Sequence, residues 1–354
     1  MSEDGNIVRP NVAEQPQDWT EPGTHAVVAG VHRIPLPLPL SGLRAVNVYV
    51  IDAPTGPVLV DSGWVGADGG ESLEQGLGAL GYRLGDVDRI VVTHAHHDHY
   101  TQALALRERF GSRVQLGRGE LPSVEAMLRR RTDGERAPQP QLLRRAGATR
   151  LADDMATLLK ALDEKDDAPW GAPDGWLDDG QEVGVGERRL EVRATPGHTR
   201  GHIVLRDAPA GLLFSGDHVL PHITPSIGYE RAPEPAPLRS YLASLRLVRD
   251  LPDALMLPAH GPVSPSVHTR VDELLRHHEE RLDASLTQLK AGASTAYEVA
   301  AGLPWTRRMS TLDDLETEHA SLAVLEIAAH LDLLVTDGAV TACEVGGVVH
   351  YAPA

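Results

Sequence analysis

A lone cysteine, Cys343, in a chain of 354 residues leaves no partner for an intrachain disulfide and no cysteine-built zinc cage. It fits a reducing cytoplasm. Basic side chains are also scarce, with 33 Lys and Arg against 50 Asp and Glu for a formal charge of -17. A phosphate backbone rewards clustered Lys and Arg, so this balance argues against a nucleic-acid partner. The short basic runs Arg129-Arg130-Arg131 and Arg144-Arg145 read as solvated helix faces. Only 2 Phe occur and aromatics total 4%, which leaves Leu, Val, Ile and Ala to fill the core. No run approaches the ~20 apolar residues of a membrane span. Residues 1–20 offer neither the basic nor the apolar segment of a secretory signal. These absences predict a cytoplasmic protein with no membrane role.

What is present is globular material, 42% hydrophobic and 23% charged, long enough for one large domain and a smaller companion. Residues 1–25 read as a flexible lead-in. Short β-type runs follow at 31–35, 46–52, 57–61, 90–93 and 114–116. Leu73, Leu77 and Leu80 give helical spacing over 70–80, closed by Gly81, and 102–110 reads as a second helix ending at Gly111. Residues 120–177 hold Leu-rich helical pieces broken by Pro138, Pro140, Pro169 and Pro173. They read as a helical insertion outside the sheet, suited to wall a substrate pocket. The β pattern returns at 182–185, 190–194, 202–205, 211–215 and 254–258. Strands alternating with helices in both halves predict a layered α/β sandwich. Beyond residue 265 the chain turns helical over 269–292 and 318–334. It then closes on a hairpin of 340–344 and 348–351 joined at Gly346-Gly347. That order resembles a small winged-helix module, giving domains at 26–265 and 266–354.

The chemistry concentrates in Thr93-His94-Ala95-His96-His97-Asp98-His99-Tyr100, directly after the apolar run Arg89-Ile90-Val91-Val92. A buried strand ending in imidazoles and a carboxylate is poor core design, because each group needs a polar partner once desolvated. It suits a metal. Three further ligand candidates each end a β-type run beside a glycine: His198 in Thr195-Pro196-Gly197-His198-Thr199, Asp217 in Ser215-Gly216-Asp217-His218, and His260 in Pro258-Ala259-His260-Gly261. Of the 17 histidines, His97, His218, His222, His277, His278, His319 and His330 read as bystanders in solvent or ordinary hydrogen bonds.

This set resembles the metallo-β-lactamase superfamily, with its His-x-His-x-Asp-His loop followed by single His, Asp and His residues, and with Val60-Asp61-Ser62-Gly63 matching an early aspartate-glycine motif. The resemblance covers residues 25–265. It implies a four-layer αββα sandwich in which His94, His96 and His198 hold one metal, Asp98, His99 and His260 hold another, and Asp217 bridges them. Asp61 would orient a ligand histidine or the loop. His202, starting a strand, would either support the ligands or face substrate. Relatives commonly have small residues and glycines where Tyr100 and Thr101 stand. The Tyr100 hydroxyl either reaches the open face of the metals or the ring plugs the loop, and a plug is expected. The trailing region, residues 265–354, resembles that of the β-lactamase-like-2 branch, close to glyoxalase II enzymes.

Neutral imidazole with carboxylate suits two zinc ions, with iron or manganese also accommodated. The implied reaction is hydrolysis by a metal-bound hydroxide, with Asp98 taking a proton. An activated acyl bond, above all a thioester on CoA, a carrier arm or glutathione, is the expected substrate. Lactonase, metal-dependent ribonuclease or phosphodiesterase, and mononuclear-iron persulfide dioxygenase activities share the fold and site. The expected partner is a small acyl molecule, and a homodimer is compatible with the composition. Cys343, remote from the ligand set, reads as structural.

Overall fold

The computed structural model describes residues 11–39, 42–134, 137–305 and 310–354, so residues 1–10 of the anticipated lead-in lie outside the description. From Ala13 onward that stretch is tied down. Ala13 N–H donates to Val27 O at 2.9 Å, and the Trp19 carbonyl accepts from Arg33 Nη1 at 2.6 Å.

Seven strands form one sheet in sequential order: β1 (His25–Val28), β2 (Val31–Pro37), β3 (Ala45–Ile51), β4 (Val58–Val60), β5 (Arg89–Val92), β6 (Arg113–Gly117) and β7 (Gly175–Leu177). The first four pair antiparallel through hairpins. β4 to β7 run parallel, so each needs a crossover, and α1 (Ala67–Ala79) and α2 (His97–Phe110) provide two of them. The second sheet comprises β8 (Glu182–Val185), β9 (Arg188–Ala194), β10 (Ile203–Asp207), β11 (Leu212–Gly216) and β12 (Leu255–Pro258), in the spatial order 12-11-10-9-8.

The layers follow from side-chain alternation. In β5, Ile90 and Val92 pack beneath α1 and α2, while Val91 points to the opposite sheet. In β11, Leu212 and Phe214 face that same interior. Leu213 turns outward to meet α6 (Pro237–Asp250) and α7 (Val267–Lys290). Strands buried on both faces read as continuous apolar runs, and each fully buried Val or Leu contributes roughly 1.5–3 kcal/mol. Tyr49 and Phe214 meet edge-on across the sheets at 5.4 Å. The result is the anticipated four-layer αββα sandwich.

The structure departs from the sequence expectations in several places. Helix α2 starts at His97, inside the histidine motif and before the expected start at residue 102, a start hidden in the sequence because that first turn is polar and carries no apolar spacing. Helix α6 was not anticipated, although Leu238, Tyr241, Leu245 and Val248 give it a buried stripe. Residues 120–177 form α3 (Leu121–Asp133), α4 (Gln139–Arg145) and α5 (Thr149–Asp163), yet their last three residues supply edge strand β7, so the segment is not wholly outside the sheet.

Leu143, Ala152 and Met155 of α4 and α5 share one core with α8 (Ala296–Ala301) and α9 (Thr317–Thr336). A terminal hairpin, β13 (Val340–Val345) with β14 (Val348–Pro353), also joins that core through Val340 and Tyr351. Helix α9 corrects the expectation that no segment has membrane-span length and hydropathy. It has 20 residues with a mean hydropathy of 1.3 over its most apolar window. Val324, Ile327 and Leu331 bury it among α4, α5 and α8 instead.

Candidate metal centre

Ligands in open α/β sheets gather beyond the carboxyl ends of parallel strands. Here β4, β5, β11 and β12 end on one rim. Asp61 follows β4, His94 follows β5, Asp217 follows β11 and His260 follows β12, while the loop after β9 brings His198. Glycines make the close approach feasible. Gly197 has φ 134°, and a Cβ there would lie 2.4 Å from the Tyr241 Cα.

All seven anticipated residues come together, and two groups are evident. His94 Nε2, His96 Nδ1 and His198 Nε2 lie 3.0, 3.2 and 3.3 Å apart. Zn–N bonds of about 2.0–2.1 Å in a tetrahedron would set an edge of about 3.3 Å. In the second group, His260 Nε2 lies 3.3 Å and His99 Nε2 3.6 Å from Asp98 Oδ2. Asp217 spans both: Oδ2 is 3.6 Å from His198 Nε2, and Oδ1 is 3.5 Å from His260 Nε2 and 3.7 Å from His99 Nε2.

The surrounding hydrogen bonds test whether cations fit. A backbone carbonyl can only accept, so the His198 Nδ1–H donates to Ser226 O at 2.7 Å and the His260 Nδ1–H to Ala45 O at 2.8 Å. Both rings therefore present bare Nε2 lone pairs. Asp61 accepts from Thr93 N–H at 2.8 Å and from the Thr93 hydroxyl at 3.0 Å, which leaves that oxygen to accept from His94 Nδ1–H at 3.1 Å. His94 Nε2 is then bare as well, and it faces His198 Nε2 lone pair to lone pair. Only a cation relieves such a contact. His99 Nε2, His260 Nε2 and Asp217 Oδ1 are buried without a hydrogen-bond partner among the described residues. The donor set therefore fits divalent metal.

Charges agree. Burial holds His94 and His198 well below the ordinary imidazole value and brings His96 down to about 4. Burial opposes charge on His99 too, but Asp98, Asp61 and Asp217 outweigh it and push the ring up to about 10. Three carboxylates buried around one imidazole call for positive charge at this spot.

The remaining candidates sit behind the ligands. Among the described residues Asp61 is the non-glycine residue with positive φ, 59°. That strained backbone aims Oδ2 at His99 Nδ1, 3.0 Å away. His202 is fully buried. Its Nε2 accepts from Asp217 N–H at 3.1 Å and its Nδ1 lies 2.9 Å from Thr195 Oγ1, so it joins two ligand loops rather than facing substrate. Tyr100 is fully buried too, its hydroxyl donating to Gly171 O at 2.8 Å with the ring beside Trp170, so it plugs the loop and pins the 120–177 segment.

Several bystander assignments change. His97 is held between Trp64 and Trp170 at the cavity wall. His319 also lines the cavity. His218 is fully buried beside Tyr241, whereas His278 and His330, also buried, make the ordinary hydrogen bonds expected of them, 3.1 Å to each other and 2.7 Å from His330 to Glu326 O.

Two carboxylates escaped the sequence reading. Glu120 accepts from the Thr199 hydroxyl, and Glu230 accepts from Arg200 N–H at 2.7 Å and the Ser123 hydroxyl at 2.5 Å. Burial raises Glu120 to about 7, and burial together with the Glu120 charge raises Glu230 to about 8. Neither has a motif, because each becomes significant only when 120–123, 199–200 and 230 are folded together.

The family model described as "Metallo-beta-lactamase superfamily" matches residues 41–260. "Probable metallo-hydrolase YqjP" of Bacillus subtilis (strain 168) is 25% identical over 90% of this chain and 96% of its own length. "Beta-lactamase-like protein 2 homolog" of Caenorhabditis elegans is 32% identical over 40% of this chain, and the match spans about half (47%) of that protein. "Hydroxyacylglutathione hydrolase" of Cereibacter sphaeroides (strain ATCC 17025 / ATH 2.4.3) is 31% identical over 52% of each. Among solved structures, a metallo-beta-lactamase family protein from Thermus thermophilus superposes with a TM-score of 0.76 at 28% identity, covering 92% of this chain and 99% of that one.

Proposed function

This chain belongs to the metallo-beta-lactamase superfamily, and from that premise we propose that it is a metallo-hydrolase of thioesters or closely related activated acyl bonds. The observation carrying this reading is the cavity above the donor set, about 790 Å³ in volume. His96, Asp98, His198, Asp217 and His260 line its floor, whereas Met127 of α3, Leu159 of α5, Trp170, Ile223 and Leu322 of α9 form apolar walls. Such walls suit an acyl chain, with a few polar groups fixing orientation at the floor. The resemblance to a hydroxyacylglutathione hydrolase, a thioesterase by name, supports the same bond type. Phosphodiester substrates are disfavoured because Glu318 lines the same cavity, and Arg231 at its wall is already paired with Asp163 at 2.8 Å.

In this reading His94, His96 and His198 hold one divalent cation and Asp98, His99 and His260 a second, with Asp217 shared. Such cations supply Lewis acidity that polarises the carbonyl oxygen and eases deprotonation of water. The protein does the rest. Ser226 O and Ala45 O fix two ligand rings, and Asp61 with Thr93 fixes a third. Asp98 opens onto the cavity. Burial alone would raise its pKa, but His99 and His260 hold it below the ordinary carboxylate range, so it stays ionised and can accept a hydrogen bond that orients the attacking water. Met127, Leu159 and Leu322 of α3, α5 and α9 line the space where the acyl group would lie.

The test is a screen of the metal-reconstituted protein on acyl-CoA, acyl-glutathione, lactone and RNA substrates. Thioester turnover above the other classes is expected. Cleavage of RNA or lactone with inert thioesters, or iron-dependent oxygen consumption with a persulfide, would overturn the assignment.

A further inference from the structure

A second group of metal donors lies away from the rim, between α7 and α9. His277 and His278 come from α7 and Glu326 from α9, and their ligand atoms lie within 4.8 Å of one another. His278 is fully buried, and its Nε2 has no hydrogen-bond partner among the described residues.

Neighbouring bonds determine what that nitrogen presents. The Glu326 carbonyl can only accept, so His330 Nδ1 carries a proton and donates to it at 2.7 Å. Both rings are fully buried, where an uncompensated charge is costly and the neutral imidazole is the favoured form. His330 Nε2 is therefore a lone pair, and it accepts from His278 Nδ1–H at 3.1 Å. The proton on His278 is thereby placed at Nδ1, which leaves a bare lone pair at Nε2 of a ring whose centroid lies 5.2 Å from that of His277. Metal-ligating histidines are oriented in this way, by donating the other ring N–H to an acceptor behind them.

We infer that His277, His278 and Glu326 form a structural divalent-cation site, of zinc type, joining α7 to α9. Two imidazoles and one carboxylate select zinc over calcium or magnesium. Donor atoms within 4.8 Å of one another can close onto the roughly 3.3 Å edge of a zinc tetrahedron by rotation of the half-buried His277 and Glu326 side chains. Arg281 is the nearby competitor for Glu326. Its guanidinium lies 4.2 Å over the Trp305 ring and its Nη1 donates to Pro304 O at 3.1 Å, while its Nε has no hydrogen-bond partner among the described residues. No ion pair joins it to Glu326 among the described residues. The cation would clamp a helix pair that carries part of the apolar wall of the catalytic cavity, since Leu322 lies on α9 one turn before Glu326.

The test compares zinc bound per full-length chain, by elemental analysis after zinc loading and dialysis, for the unmodified protein, His277→Gln, Glu326→Gln and Asp217→Asn. The first two variants are expected to lose one equivalent and the melting-temperature rise that zinc confers through this site. Asp217→Asn loses metal from the rim and keeps this equivalent, so failure here is separable from failure of the hydrolase reading. Unchanged zinc content in both His277→Gln and Glu326→Gln overturns the inference. If either variant folds poorly, a zinc-edge anomalous map of the unmodified protein decides. Density at bonding distance from His278 Nε2 is expected, and its absence overturns the site.

Discussion

Two parts of this molecule gather buried histidines, and they do so by different means. At the rim of the sandwich, seven ligand candidates arrive from four separate strand ends, the two groups held from behind by carbonyls, a threonine and a carboxylate. Between α7 and α9, two adjacent histidines and one glutamate come from two straight helices and are supported by a single two-ring relay. In both places a lone pair is fixed with nothing to receive it. A third buried polar group, Glu120 with Glu230, is different, because protonation of the carboxyls settles its charge. Buried lone-pair donors facing one another require a cation, whereas buried carboxylates can be neutralised by protons.

The largest effect should come from the rim. His96→Ala or Asp217→Asn is expected to bring hydrolysis to background and to lower metal content, with the far-ultraviolet dichroism of the fold retained. Retained turnover in either variant would break the proposed assignment. Next come the supports, where Asp61→Asn and His202→Gln should weaken metal affinity or turnover by about 10–100-fold, read by metal titration. By contrast, His277→Gln and Glu326→Gln should lower the melting temperature of the zinc-loaded protein while leaving turnover unchanged. Loss of activity there would erase the distinction between a catalytic and a structural cluster.

The carboxylate pair sharpens the contrast through pH. Raised folded-state values of about 7 and about 8, against an ordinary value near 4.5, mean that the folded protein binds more protons than the unfolded chain between those limits. Its stability contribution is full below about pH 4.5 and is lost as pH rises through 7–8. The melting temperature of Glu230→Gln relative to the unmodified protein should therefore climb between pH 5 and pH 9. Parallel curves would show that the pair carries no such cost. The smallest effect is expected for Tyr100→Phe, which removes one hydrogen bond to Gly171 O worth about 1 kcal/mol and should leave turnover intact.

The same contrast explains what was legible in the sequence. Rim ligands stand at the ends of apolar runs beside turn glycines, so Gly197-His198, Gly216-Asp217 and His260-Gly261 announce themselves locally. The four layers were legible for the same reason, since burial of both faces of β5, β10 and β11 makes each a short, nearly continuous apolar run. The α7–α9 cluster was not legible, because His278 and His330 are 52 residues apart on helices whose spacing resembles any amphipathic surface. Glu120 and Glu230 were hidden similarly, their partners arriving from three distant segments. Helix α6 had a readable stripe in Leu238, Leu242 and Leu245 that went unused, and α9 concealed a near-continuous apolar sequence by spending it on a core shared with α4 and α5.

The central claim is that the strand-end donor set holds two divalent cations around Asp217. The most direct measurement is a zinc-edge anomalous difference map of the zinc-loaded protein. Two rim peaks about 3.5–4 Å apart, one among His94, His96 and His198 and the other among Asp98, His99 and His260, are predicted. A map with no peak, or with one peak only, on that rim would contradict the account.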